Sequence, residues 1–158
     1  MMAIISEARS ATEIAQARTL FQEYAAETKL SLCFQNFAEE LASLPGCYAA
    51  PEGRLLLAQC NGRVAGCAGL RLLEPGICEM KRLYVRPEFR GMKIGRALVE
   101  ALIEAATAQG YRRMRLDTLP HLIPALELYR ALGFREIAPY RNPNEGVLYL
   151  ELNLSTTP

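Results

Sequence analysis

Near the middle of the chain, Leu83-Tyr84-Val85-Arg86-Pro87-Glu88-Phe89-Arg90-Gly91-Met92-Lys93-Ile94-Gly95-Arg96 runs from a strand-like stretch through a basic, glycine-containing loop into a helix start. Such a loop turns consecutive backbone N–H groups toward one point at the positive end of a helix, and Arg90, Lys93 and Arg96 add charge there. The chemistry that suits it is capture of a phosphate-bearing ligand. A plain turn with its basic side chains in water is the other reading, and the loop by itself does not decide. Spacing excludes two familiar phosphate motifs: G-x-G-x-x-G is absent, and Gly91 to Gly95 followed by Arg96 is not G-x-x-x-x-G-K-S/T. The loop also follows several antiparallel strands, not the first strand of a βαβ unit, so nicotinamide and nucleoside-triphosphate chemistry recede.

Metal and thiol chemistry find less support. Cys33, Cys47, Cys60, Cys67 and Cys78 form no C-x-x-C pair, and the chain has one histidine, His121. Neither a zinc site nor a disulfide framework is expected, and buried reduced thiols fit the pattern. Cys78 lies next to Glu79, but no His/Asp spacing marks it as an activated nucleophile. His121, in Leu119-Pro120-His121, reads as a polar residue at a helix start.

A strand must deliver Leu83 to Val85 to the loop, and a helix must begin at its far end. Residues 2 to 8 read as a first strand. Ser10-Ala11-Thr12-Glu13 then has capping-box spacing, with Ile14, Ala17, Phe21 and Tyr24 on one helical face. A short helix follows from Asn36 to Leu44, with Asn36 and Glu39 as its cap and Pro45-Gly46 as its stop. Arg54 to Leu73 reads as two strands turned at Asn61-Gly62, and Glu74-Pro75-Gly76 reverses the chain into a third, Ile77 to Val85, completing an antiparallel meander. Pro87 ends that strand, and Gly95 to Ala108 places Leu98, Val99, Leu102, Ile103 and Ala106 on one helical face. Arg113 to Thr118 is a strand, and Leu122, Ala125, Leu126, Tyr129 and Leu132 recur at helical spacing before Gly133. Phe134 to Ile137 and Val147 to Leu154 complete the order β-α-α-β-β-β-α-β-α-β-β, a mixed α/β domain spanning 1–158.

With 158 residues, 51% apolar and 22% charged, the chain has the size and composition of one globular domain. Its net charge of +1 supplies no global field for a nucleic acid or an anionic membrane, so neither is expected as a partner. Glu7 and Arg9 interrupt the N-terminal apolar stretch before a signal-peptide core forms, which predicts a cytoplasmic protein.

Arg90 to Gly95 resembles the pyrophosphate-loop pattern Q/R-x-x-G-x-G/A of the GNAT superfamily of acyl-CoA-dependent N-acyltransferases. The upstream Leu83-Tyr84-Val85-Arg86-Pro87 and downstream Leu128-Tyr129-Arg130-Ala131-Leu132-Gly133-Phe134 are similar to that family's flanking segments, in its order and spacing. Two departures stand out. Lys93 replaces the middle glycine, and Leu122 stands where many members carry a cofactor-contacting asparagine, so no role is carried over to it.

The resemblance implies a mixed sheet, with an antiparallel N-terminal meander, a parallel pair at the cofactor site and helices on both faces. It implies acetyl-CoA as acyl donor, held by Leu83, Tyr84, Val85, Arg90, Gly91, Met92, Lys93, Ile94, Gly95 and Arg96, with no metal. It places Glu79 where members often have a catalytic or water-ordering glutamate; the alternative is a surface partner for Lys81 or Arg82. A bulge in the cofactor strand is usual there and resets which face each residue occupies, and the N–H it frees near Leu83 to Val85 would stabilise the thioester oxygen. Tyr129 matches the tyrosine that protonates the departing thiolate, though its position on the apolar stripe also suits a core residue.

The acceptor pocket implied by the family is built from residues 22–37 and the late loop Tyr140-Arg141-Asn142-Pro143. Arg141 either grips a substrate carboxylate or is an ordinary loop arginine, and Asp117 and Thr118 border the acyl site or the turn. The activity implied is acetyl transfer to a primary amine of a small molecule. Acetylation of a protein N-terminus or lysine, or a non-catalytic acyl-CoA-binding module, are the alternatives, and a homodimer is compatible with either.

Overall fold

The capping box at Ser10 to Glu13 forms: Glu13 N–H donates to Ser10 Oγ at 3.1 Å, while the N–H groups of Ser10 and Arg9 donate to Glu13 Oε1 at 2.9 Å. In the computed structural model, which describes residues 3–28, 36–141 and 146–155, this box links strand β1 (Ile4–Glu7) to helix α1 (Ala11–Thr28). Helix α2 (Phe37–Ser43) follows, without its expected cap. Asn36 sits in the left-handed region at φ 58, ψ 38 and makes no side-chain bond to the helix. Side-chain capping needs an extended backbone at that position; here only the Asn36 carbonyl engages, accepting from Glu40 N–H at 3.0 Å. Pro45 then turns the chain through a short 3-10 segment, Gly46–Tyr48.

Strands β2 (Arg54–Cys60) and β3 (Arg63–Glu74) join through Asn61 and Gly62, both at positive φ (55 and 75) as a tight hairpin turn requires. Strand β4 (Ile77–Val85), helix α3 (Ile94–Gln109), strand β5 (Arg113–Thr118), helix α4 (Ile123–Ala131) and strands β6 (Arg135–Ile137) and β7 (Leu148–Asn153) complete the expected order. The seven strands form one sheet, β1-β2-β3-β4-β5-β7-β6, in which only β4 and β5 run parallel.

Helices cover both faces. Leu98, Val99, Leu102 and Ala106 of α3 and Leu126 of α4 bury against Met80, Met114 and Leu116 on one side. Ala17, Leu20 and Phe21 of α1 pack with Tyr48, Leu55, Leu57 and Cys67 on the other. Among the described residues no helix is long and apolar enough to cross a membrane.

One irregularity sets the position of everything that follows. Cys67 pairs with Tyr84 and Gly69 with Lys81, so Arg82 and Leu83 together oppose Ala68 in a bulge of β4, with Arg82 at φ 63. A bulge bends and twists its strand. Accordingly β4 and β5 pair only over Ile77–Glu79 and Arg113–Arg115 and then part, leaving a cleft between the C-terminal halves of the two parallel strands.

Candidate active site

The loop that leaves β4 forms one wall of this cleft. Gly91 has φ 83 and Lys93 has φ 61, ψ 23 immediately before α3. Alternating hands of backbone conformation turn successive N–H groups inward. The first bond of α3 runs from Ala97 N–H to the Lys93 carbonyl (3.1 Å), which leaves the N–H groups of Ile94, Gly95 and Arg96 without helical acceptors. A Cβ at Gly95 would meet only Val85 and Leu128, at 3.7 and 3.9 Å, so the bare position keeps the helix start open without being demanded by the protein's own packing. The departure at Lys93 therefore falls on a site that does require positive φ, at a cost of roughly 1–2 kcal/mol for a residue with a Cβ.

Side chains around the loop act mainly as braces. Arg90 donates Nε to the Val85 carbonyl (2.9 Å) and Nη2 to both Glu27 oxygens (2.7 and 2.6 Å). Arg86 grips Glu23 through Nε and Nη2 (3.0 and 2.8 Å), and the Tyr84 hydroxyl, pushed up to about 12 by burial and by Glu23, donates to the same carboxylate at 3.3 Å. Two glutamates of α1 thus tie down the β4–α3 connection. Leu83 and Val85 face the α3/α4 core, Ile94 is buried in it, Met92 is exposed, and Arg96 pairs with Glu100 at 3.3 Å. What β4 offers the cleft is backbone, since its β5-facing edge has no strand partner beyond Glu79.

On the α1/α2 face stands a cluster of charges. Glu79 is fully buried; Arg71 donates Nε and Nη2 to Oε1 (2.9 and 2.8 Å), and Arg141 Nη2 and the Tyr140 hydroxyl reach Oε2 (2.7 and 2.8 Å). Burial pushes the Glu79 carboxyl up, but Lys81, Arg141 and Arg71 together outweigh it and hold it below the ordinary carboxylate value. Arg141 also binds Asp117 Oδ2 at 2.7 Å. Glu79 is therefore no surface partner of Lys81 or Arg82. Arg82 instead enters a buried bidentate pair with Glu40 of α2 (2.9 and 2.8 Å), its guanidinium over the Phe37 and Tyr24 rings.

Tyr129 enters from the opposite face, in edge contact with Phe134. Its side chain is 5% exposed, and its hydroxyl makes no hydrogen bond among the described residues. Burial, with Tyr24 and Asp117 nearby, raises its pKa and keeps it a donor.

The structure brings Glu79, Tyr140, Arg141 and Asp117 together but not Thr118. Strand alternation puts Thr118 on the α3/α4 face with Met114 and Leu116, away from the face of Tyr140 and Arg141. Cys78 lies on that same far face, and burial pushes its thiol up to about 12, far from a reactive thiolate. Residues 29–35, with Cys33, and Asn142 and Pro143 lie outside the described residues. Sequence reading missed Arg71, Lys81 and the Glu40–Arg82 pair as members of the site. No short sequence signal marked Arg71, because a register shift between Leu72 and Glu74 is what places it across from Glu79. No group of three metal-ligating side chains occurs among the described residues.

Solved proteins share the fold of this chain. A solved GNAT-family acetyltransferase of Staphylococcus aureus superposes with a TM-score of 0.80 at 23% identity, covering 97% of this chain and 99% of that one. An N-acetyltransferase of Thermoplasma acidophilum, solved in complex with coenzyme A, gives 0.73 at 18% identity over 97% and 99%. An uncharacterized N-acetyltransferase of Schizosaccharomyces pombe is 42% identical over 154 residues, 96% of this chain and 94% of its own length. The model of the acetyltransferase (GNAT) family matches residues 14–134, well over half of the sequence, and the chain belongs to that family of N-acetyltransferases.

Proposed function

We propose that the protein transfers the acetyl group of acetyl-CoA directly to a primary amine of a small molecule. The observation that carries this reading is the Tyr129 hydroxyl, nearly buried and unbonded among the described residues, across the sheet from a half-buried charge cluster. The residues present fit CoA. The free N–H groups of Ile94, Gly95 and Arg96 would take its pyrophosphate, with Lys93 adding an ammonium, and the open edge of β4 would take its amide-bearing arm. Acetyl-CoA supplies an activated thioester: the acceptor nitrogen bonds to the carbonyl carbon, the C–S bond breaks, and CoA leaves as a thiolate.

Around that exchange the chain's own groups hold and move protons. Tyr129 donates its phenolic proton to the leaving sulfur. The backbone N–H groups that the bulge at Arg82 and Leu83 turns to the cleft polarise the carbonyl oxygen. Glu79 already accepts from two arginines and a tyrosine and has a lowered pKa, so its part is to fix Arg141 and Tyr140, with water or the half-exposed Asp117 taking the ammonium proton. Cys78 plays no part, which leaves direct transfer.

The test is thiol release from acetyl-CoA with a panel of small amines, beside peptides carrying a free N-terminus or an internal lysine. Turnover of small amines exceeding that of peptides by tenfold or more in kcat/KM supports the reading. Preference for peptides would make the protein a protein acetyltransferase. Acetyl-CoA binding without acceptor-stimulated release would make it a binding module.

A further inference from the structure

Among the described residues the charge cluster on the acceptor side does not balance. Arg71, Lys81 and Arg141 face two carboxylates, Glu79 and Asp117, and the pairing is unequal. Arg71 is spent on Glu79, and Arg141 is shared between Glu79 and Asp117. The neighbouring Arg82 and Arg115 have their own carboxylates, Glu40 for the first and Glu151 and Glu74 for the second. Lys81 alone of these cations makes no hydrogen bond or ion pair among the described residues. It lies two residues beyond Glu79 on the same side of β4. Across β3 it meets Gly69, which has no side chain, and on its other flank β5 has already parted, so its ammonium stands at the cleft near Asp117. Burial holds its pKa below the ordinary lysine value, and Asp117 and Glu79 compensate only in part. A cation kept partly dehydrated and, among the described residues, without an ion-paired carboxylate is stabilised by a ligand that supplies one.

Resting on the small-amine reading above, we infer that the acceptor carries its own carboxylate: an amino-acid-type molecule whose carboxylate pairs with Lys81 while its amine lies toward Asp117 and the thioester. Among the described residues Lys81 and Asp117 make no ion pair with each other, so the carboxylate and the ammonium of a zwitterion have separate partners. Arg141, the residue that sequence reading singled out for a carboxylate, is already occupied and serves to hold Asp117 in place.

The experiment compares acceptors that differ only in that group: L-alanine with L-alaninamide, β-alanine with β-alaninamide, and 4-aminobutyrate with 4-aminobutyramide. Thiol release is followed at saturating acetyl-CoA for the wild type, Lys81→Met and Lys81→Arg. In the wild type at least one acid should exceed its amide by about tenfold or more in kcat/KM. Lys81→Met should abolish that preference by raising KM for the acid, with KM for the amide and the acetyl-CoA-induced thermal shift unchanged, and Lys81→Arg should retain part of it. Equal treatment of every pair, or turnover of carboxylate-free amines alone, overturns the inference and leaves the small-amine reading standing. A preference that persists in Lys81→Met overturns the assignment to Lys81. Turnover of peptides alone, or of no amine while acetyl-CoA still binds, overturns the small-amine reading and this inference with it.

Discussion

The two walls of the cleft between β4 and β5 are built by opposite means. On the proposed cofactor side the ligating groups are backbone N–H groups set by two left-handed residues, Gly91 and Lys93, and the nearby arginines brace the loop against α1. On the acceptor side the site consists of side chains from β3, β4, β5 and the segment before β7, held around one buried carboxylate. A backbone cradle depends on local conformation and tolerates changes of side chain; a charge cluster depends on every member. This difference lets one fold keep its donor while the acceptor side changes, and it predicts unequal responses to mutation.

The largest effect belongs to Glu79→Gln. Removing this charge leaves Arg71 and Arg141 facing each other in a partly buried site, where loss of one partner typically costs several kcal/mol; with both arginines about a third exposed, about 2–4 kcal/mol is expected, a fall in Tm of roughly 5–15 °C. Its cations hold the folded-state pKa of Glu79 below the unfolded value, so its contribution is complete above the unfolded value and is lost as pH falls through the folded one. Wild type and variant should thus differ most at neutral pH and converge on acidification below about pH 4.5. The acceptor KM should rise while acetyl-CoA binding holds. A gap in Tm that is independent of pH would show that the carboxylate's charge is not what the cluster needs.

The same contrast explains what could be read in advance. Strand and helix order, the turn conformation of the loop before α3 and the place of Tyr129 on α4 were legible because each depends on a short contiguous run: an Asn-Gly turn, a glycine loop, a helical stripe. The acceptor side was not. A plain two-residue hairpin at Pro75-Gly76 would pair Leu72 with Glu79, but a bulge near Leu73 shifts the register and brings Arg71 there instead. Arg82 sits at a positive φ that its type disfavours, and the compensation comes from Glu40, forty-two positions earlier. Asn36 shows the converse failure, a good capping residue in the wrong backbone region for its side chain to cap.

Next in size is Tyr129→Phe, which probes the group standing between the two walls. Its hydroxyl has no bond to lose among the described residues, so stability should stay within about 0.5 kcal/mol of wild type. The single-turnover rate at saturating acetyl-CoA should fall by about tenfold or more, since a general acid contributes about 10²–10⁴ and water substitutes in part. A full rate with a lowered Tm would return Tyr129 to the core and assign the proton to solvent.

The smallest and most local effect is expected at Lys93, where the two building principles meet in one residue. Its backbone supplies the left-handed turn of the cradle, and its exposed ammonium supplies charge. Lys93→Gly separates them. Relief of the left-handed conformation is worth about 1–2 kcal/mol, and the added freedom of the unfolded chain takes back about 0.5–1, so the variant should be more stable by roughly half to one kcal/mol. Its affinity for CoA should fall only severalfold, because the ammonium is exposed, and that loss should shrink as salt is raised while the gain in Tm does not. Opposite signs for stability and affinity, with salt acting on one alone, are the signature of a cradle made by backbone and merely decorated by charge. If affinity collapses at all salt concentrations, Lys93 is an indispensable ligand, and the cofactor wall depends on its side chains as fully as the acceptor wall does.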